Sequence, residues 1–152
     1  MNPEAPISIE RLRRDDFSLA GYRRLRILLW PDCAEVCDVE VERIIANPRW
    51  AVFLARDERD EVIGFLETNL REYADGAETS PVGYLEGLYV EANYRQRGIA
   101  RSLIEKGEQW ARSQGCTEIA SDCLIDNDVS FQVHTRMGYR EVERQIIFLK
   151  RL

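Results

Sequence analysis

The residues best suited to chemistry lie in one stretch, Leu88-Tyr89-Val90-Glu91-Ala92-Asn93-Tyr94-Arg95-Gln96-Arg97-Gly98-Ile99-Ala100-Arg101-Ser102. A strand pattern runs into a turn, and the turn opens a helix at small residues. The free backbone N–H groups of a helix's first turn, aided by its dipole, make an anion site. Gly98 lets a ligand approach the backbone, and Ala100 keeps the next turn uncrowded. Arg95, Arg97 and Arg101 add positive charge suited to phosphates. The spacing is neither the GxxxxGK-Ser/Thr of a Walker loop nor the GxGxxG of a dinucleotide fold. A solvated basic helix start would carry the same residues, so the pattern alone leaves both readings open.

Cysteine and histidine offer less. Cys116 and Cys123 bracket an expected strand and so sit up to about 23 Å apart, at roughly 3.3 Å per residue. Cys33 and Cys37 can share a helix face, but no partner pair is evident and His134 is the only histidine. We therefore expect no metal and read the cysteines as reduced and mostly structural. Nothing near Cys123 marks it as an activated nucleophile.

The elements that must hold these residues follow from periodicity. Residues 7–12 alternate as a first strand. Asp15 or Asp16 caps a helix running to Trp30, with Pro31 closing it. An acidic helical segment spans about 34–46 and stops near Asn47-Pro48. Residues 50–57 and 61–70 form a hairpin, 71–81 a loop, and 84–90 a strand. A helix over 97–114 carries Ala100, Leu103, Ile104, Gly107, Trp110 and Ala111 on one face. Residues 117–123 form a strand, 127–137 a helix, and 139–151 the last strand or strands. The order β-α-α-β-β-β-α-β-α-β predicts an α/β (α+β) domain with a mixed central sheet flanked by helices. No repeat or linker divides residues 1–152, so one domain is expected.

Arg95-Gln96-Arg97-Gly98-Ile99-Ala100 resembles the Q/R-x-x-G-x-G/A signature of the GNAT superfamily of N-acetyltransferases, and the element order matches along nearly the whole chain. The resemblance implies the GNAT fold and acetyl-CoA as co-substrate. It places the coenzyme's pyrophosphate on Gln96, Arg97, Gly98, Ile99, Ala100 and Arg101. It also pairs the pantetheine arm with the backbone of Leu88, Tyr89 and Val90. A later block, Asn127-x-x-Ser130-x-x-Val133-His134-x-x-x-Gly138-Tyr139, resembles the family's N-x-x-A-x-x-L/V-Y-x-x-x-G-F/Y. There Asn127 would contact the coenzyme. His134 replaces the tyrosine thought to protonate the departing thiolate, work that an imidazole can also do. Plain packing beside the coenzyme would serve equally to explain it.

On the acceptor side, residues 25–33, the Tyr73 loop, 79–90, 118–123 and 141–148 resemble the aminoglycoside 6′-N-acetyltransferases. That resemblance carries Trp30, Tyr73, Glu86, Asp122 and Glu143 onto positions lining the aminoglycoside cleft. A polycationic sugar wants carboxylates for its ammonium groups and an aromatic wall for its ring faces. An amine of pKa about 10 is almost wholly protonated at pH 7, so some carboxylate must take its proton before direct transfer in a ternary complex. Asp122, at a strand end, is the first candidate and Glu86 the second. A backbone N–H near Leu88 would polarise the thioester carbonyl.

The formal charge of −6 argues against a nucleic-acid partner and is compatible with a cationic substrate. No apolar run approaches the roughly 20 residues of a membrane helix, and the N-terminus lacks a signal-peptide pattern, so a cytoplasmic enzyme is expected. Two alternatives remain open: an acetyltransferase of another amine (a polyamine or a protein N-terminus), and a non-catalytic acyl-CoA-binding module. The segment Arg144-Gln145-Ile146-Ile147-Phe148-Leu149-Lys150 is apolar at its centre, as a strand covered on both faces would be. An internal strand of a monomer meets that need. So does a homodimer interface, which the resemblance favours.

Overall fold

The computed structural model describes residues 6–152. One sheet contains β1 (Ser8–Arg11), β2 (Trp50–Arg56), β3 (Val62–Arg71), β4 (Val82–Val90) and β5 (Ile119–Ser121), in that spatial order. Neighbours are antiparallel from β1 to β4, whereas β5 lies parallel to β4. The expected mixed sheet is therefore present. Its parallel step is made by the crossover helix α3 (Ile99–Ser113), because parallel neighbours cannot be joined by a tight turn.

Both faces of the sheet are covered, which explains why β2 and β3 read as nearly continuous apolar runs. On one face Ala51, Phe53, Ala55, Leu66 and Leu85 pack against Leu103, Ile104, Trp110 and Ala111 of α3. On the other, Val52, Leu54 and Phe65 meet Tyr22 and Leu25 of α1 (Asp16–Leu29) and Val41 and Ile44 of α2 (Cys37–Ala46). Asp15 caps α1, its carboxylate accepting both the backbone N–H and the hydroxyl of Ser18 at 2.8 Å. The second helix begins later than its pattern suggests. Pro31–Cys33 form a 3₁₀ turn, and Val36 at the N-cap offers no side-chain acceptor to extend α2 backwards.

The ladder between β3 and β4 slips once. Glu67 faces Gly87 and Thr68 faces Leu85, which leaves Glu86 as an extra residue on β4. Such a bulge bends the strand and re-aims a side chain. The parallel ladder with β5 ends at Leu85, so from Glu86 to Val90 strand β4 has β3 on one side and no strand on the other.

The expected last strand is not formed: residues 139–152 take no regular structure beyond the end of α4 (Asp128–Arg136). Val142 packs where a side chain on Gly76 would lie, and Gln145 Nε2 donates to Asp75 at 3.0 Å. Beyond this the arm stands out, with Ile146, Ile147, Phe148 and Leu149 between 81% and 93% exposed. The apolar run reports a need for cover, but says nothing about which chain supplies it. Among the described residues, no helix is long and apolar enough to cross a membrane.

Candidate active site

The turn expected to bind an anion has the required backbone. A short 3₁₀ segment, Ala92–Tyr94, follows β4, and Gln96 and Gly98 then take positive φ values of 63° and 76°. Gly98 is the N-cap of α3, has no side-chain cap bond, and would carry a Cβ with no atom within 4 Å. The first intrahelical bond runs from Ser102 N–H to the Gly98 carbonyl at 3.0 Å. The N–H groups of Ile99, Ala100 and Arg101 therefore point out of the helix end without helical partners. Arg95 is turned back, its Nε donating to the Val90 carbonyl at 2.9 Å, and it buttresses the turn from beneath. Arg97 lies over the Tyr94 ring, while Arg101 pairs with Glu105 at 2.8 Å. The open edge of Leu88, Tyr89 and Val90 leads directly into this turn.

Where β4 parts from β5, the two expected carboxylates meet a shared network. Asn69 and Arg71 alternate along β3 on the face that carries Glu86 and Tyr84. Arg71 grips Glu86 with both Nε (2.8 Å) and Nη2 (2.6 Å), and Asn69 Nδ2 adds a third bond at 3.2 Å. The same guanidinium lies flat on the Tyr84 ring, 3.4 Å from its centroid. Tyr84 in turn donates its hydroxyl to Asp122 Oδ1 at 2.6 Å. Burial, then the bond to Asp122, pushes the Tyr84 hydroxyl up, so it remains a donor at neutral pH. Asp122 itself is exposed, and among the described residues the Tyr84 bond is its one hydrogen bond. Of the two carboxylates, Asp122 is the one left accessible.

Trp30 forms a wall beside Glu86. A Cβ on Gly87 would lie 2.2 Å from its ring, so Gly87 is what lets the indole seat on the bulge. Phe65 supports that ring at 6.1 Å, and the Arg26 guanidinium lies 4.9 Å from its centre. Arg26 is held by Glu67 at 2.5 Å and Glu40 at 2.7 Å. Burial pushes the Glu67 carboxyl up and the charge of Arg26 pulls it back, while Tyr22 donates a further bond at 2.5 Å.

The remaining candidates are placed less centrally. His134 of α4 donates from Nδ1 to the Ser130 carbonyl at 2.7 Å, which leaves Nε2 to accept the Ser121 hydroxyl at 2.8 Å. Its ring meets Tyr139 edge-on at 5.4 Å. Asn127 caps α4 through Oδ1, 3.0 Å from Ser130 N–H, so its amide NH₂ is the group turned to other work. Tyr73 is 70% exposed and donates to Asp75 at 2.8 Å, a bond that raises its hydroxyl. Glu143 lies on the C-terminal arm, near enough for its charge to act on Tyr73.

Sequence reasoning missed Arg71, Tyr84, Gly87, Arg26 and Glu67. The sequence pattern puts Arg71 at the start of a loop, because its partner Val82 precedes the recognisable apolar run of β4. The glutamate inside the apolar stretch VIGFLETNL is the one signal that could have found Glu67, since a lone acid on a buried face requires a cation.

The sequence profile of the Acetyltransferase (GNAT) family matches residues 8–139. An aminoglycoside N(6′)-acetyltransferase type 1 from Acinetobacter genomosp. 13 is 40% identical over 135 residues, 88% of this chain and 92% of the relative. One from Serratia marcescens is 38% identical over 140 residues, 91% of this chain and 96% of the relative. Among solved structures, AAC(6′)-Iy in complex with a CoA-S-monomethyl-acetylneamine bisubstrate analogue superposes with a TM-score of 0.90 at 34% identity, covering 97% of this chain and 100% of the other. AAC(6′)-Ih from Acinetobacter baumannii gives 0.88 at 36% identity, covering 97% and 99%.

Proposed function

The chain belongs to the Acetyltransferase (GNAT) family, and from that premise we propose that it transfers acetyl from acetyl-CoA to the 6′-amine of aminoglycosides, conferring resistance to them. The observation that carries the reading is a coincidence of place. The open edge of β4, the accessible carboxylate of Asp122, the carboxylate of Glu86 and the Trp30 wall all adjoin the point where β4 leaves β5. Acetyl-CoA supplies the activated acetyl group as a thioester. Its phosphates fit the helix end at Gly98, Ile99, Ala100 and Arg101 beside Gln96 and Arg97, its arm fits the free edge of Leu88–Val90, and Asn127 offers its amide from α4. Asp122 takes the acceptor's ammonium proton, directly or through water. His134, bonded through Nε2 to Ser121, the residue before Asp122, is our candidate for returning a proton to the departing sulfur. Trp30, Tyr73, Glu86, Asp122 and Glu143 line the acceptor's path.

The test separates coenzyme from acceptor. Gly98→Trp should abolish acetyl-CoA binding in a folded protein, whereas Asp122→Asn should lower turnover about 10²–10⁴-fold and leave coenzyme binding nearly unchanged. Near-normal rates in Asp122→Asn with loss in Glu86→Gln would move the base to Glu86.

We infer one domain over residues 1–152, working in the cytoplasm, where four free cysteines stay reduced. We also infer a homodimer in which the arm at Ile146–Leu149 is covered by a second copy, bringing Glu143 to a cleft shared between subunits. Exposed apolar side chains in an unbroken run support this. Light scattering that found a fully active 17.7 kDa monomer would end the dimer proposal.

A further inference from the structure

Glu86 and its surroundings already contain what a cationic sugar needs: a carboxylate, an aromatic face and a second carboxylate behind it. A cation of the protein's own occupies them. Arg71 takes both oxygens of Glu86, at 2.6 and 2.8 Å, and covers the face of Tyr84 at 3.4 Å. The two partners differ in freedom. The Glu86 side chain is 15% exposed and fixed at the bulge, whereas that of Arg71 is 39% exposed at the end of β3. Arg71 can swing towards solvent, baring the face of Tyr84 that it covers for a ligand to take, whereas Glu86 has no comparable way out.

Building on the proposed acetyltransferase reading, we propose that Arg71 is a specificity-determining residue, an internal counter-cation that a multiply charged acceptor displaces from Glu86. The acceptor's reactive amine is served by Asp122, and a second ammonium competes with Arg71 for Glu86 and the Tyr84 face. An acceptor with one amine has nothing to place there and gains nothing by displacing the guanidinium. Arg71 thus sets how far the site favours polyamines over monoamines. Half-open ion pairs suit such an exchange, because their net strength is small and water can solvate the released partner.

The experiment compares Arg71→Met with the wild type on an aminoglycoside bearing several amines and on the methyl glycoside of 6-amino-6-deoxyglucose, which bears one. Calorimetric affinities are measured alongside acceptor KM, kcat and acetyl-CoA KM. Arg71→Met should raise the ratio of the single-amine KM to the multi-amine KM about fivefold, the shift expected for removing one competing surface cation. Arg71→Lys should return the ratio towards the wild-type value. In the Glu86→Gln background, Arg71→Met should produce no gain. Arg71→Gln serves as the neutral variant if the methionine chain does not fold. An unchanged or lowered ratio in a folded neutral variant overturns the proposal, and so does a gain that persists without the Glu86 charge. Tighter calorimetric binding to Arg71→Met without turnover in any form would sink the acetyltransferase reading while sustaining the role of Arg71. Equal affinities with turnover intact would do the reverse, and no binding to any form would remove both.

Discussion

Two of the arginine–glutamate pairs on the α1 face of the sheet differ in what surrounds them. Arg26 and Glu67 have side chains 8% and 2% exposed, tied further to Tyr22 and Glu40 beneath α1 and α2. Arg71 and Glu86, at 39% and 15%, sit where the helical cover stops. The first pair is architecture. It fixes the guanidinium on which Trp30 rests, and the ring then fills the space that Gly87 leaves. The second presents the same chemistry to solvent, where a ligand can compete for it. Burial decides which of these an ion pair becomes, because a desolvated partner left alone is costly and a solvated one is not.

The comparison breaks most visibly under truncation. Arg26→Met strands the Glu67 charge in the core and should cost about 3–5 kcal/mol in urea unfolding. Arg71→Met leaves Glu86 half-covered but still bonded to Asn69 and should cost less, about 1–2 kcal/mol. Similar losses at the two sites would show that burial is not the distinction.

The two glycines on the acceptor and coenzyme sides sharpen it on a smaller scale. Gly87→Ala drives a methyl into the Trp30 ring and should destabilise by about 1–3 kcal/mol, raising acceptor KM more than acetyl-CoA KM. Gly98→Ala meets no atom and should cost about 1–2 kcal/mol from its left-handed backbone alone. The pattern of KM effects, read by steady-state kinetics, should invert between them.

What was legible in the sequence follows the same division. Local patterns gave the turn at Gly98, the hairpin of β2 and β3, the crossover helix and the strand carrying Glu86. They did not give pairings across the chain. Arg26 and Glu67 are 41 residues apart, and nothing near either names the other. Arg71 looked like loop because a strand's length depends on how far its neighbour extends, and Val82 extends it. The run at Ile146–Leu149 has the pattern of a strand, yet residues 139–152 form none, because a strand also needs a neighbour to pair with and periodicity does not supply one. Asp122 was placed at a strand end, but its hydrogen bond from Tyr84 depends on the parallel register of Tyr84 with Ala120.

The central claim is that an exposed carboxylate at the end of β5 serves a 6′-amine delivered beside the thioester. Acetyl-CoA turnover with two aminoglycosides that differ only in a 6′-amine or a 6′-hydroxyl tests it directly. Turnover with the amine and none with the hydroxyl is the predicted result. Equal turnover of both, or turnover confined to spermidine or a peptide N-terminus, would contradict it.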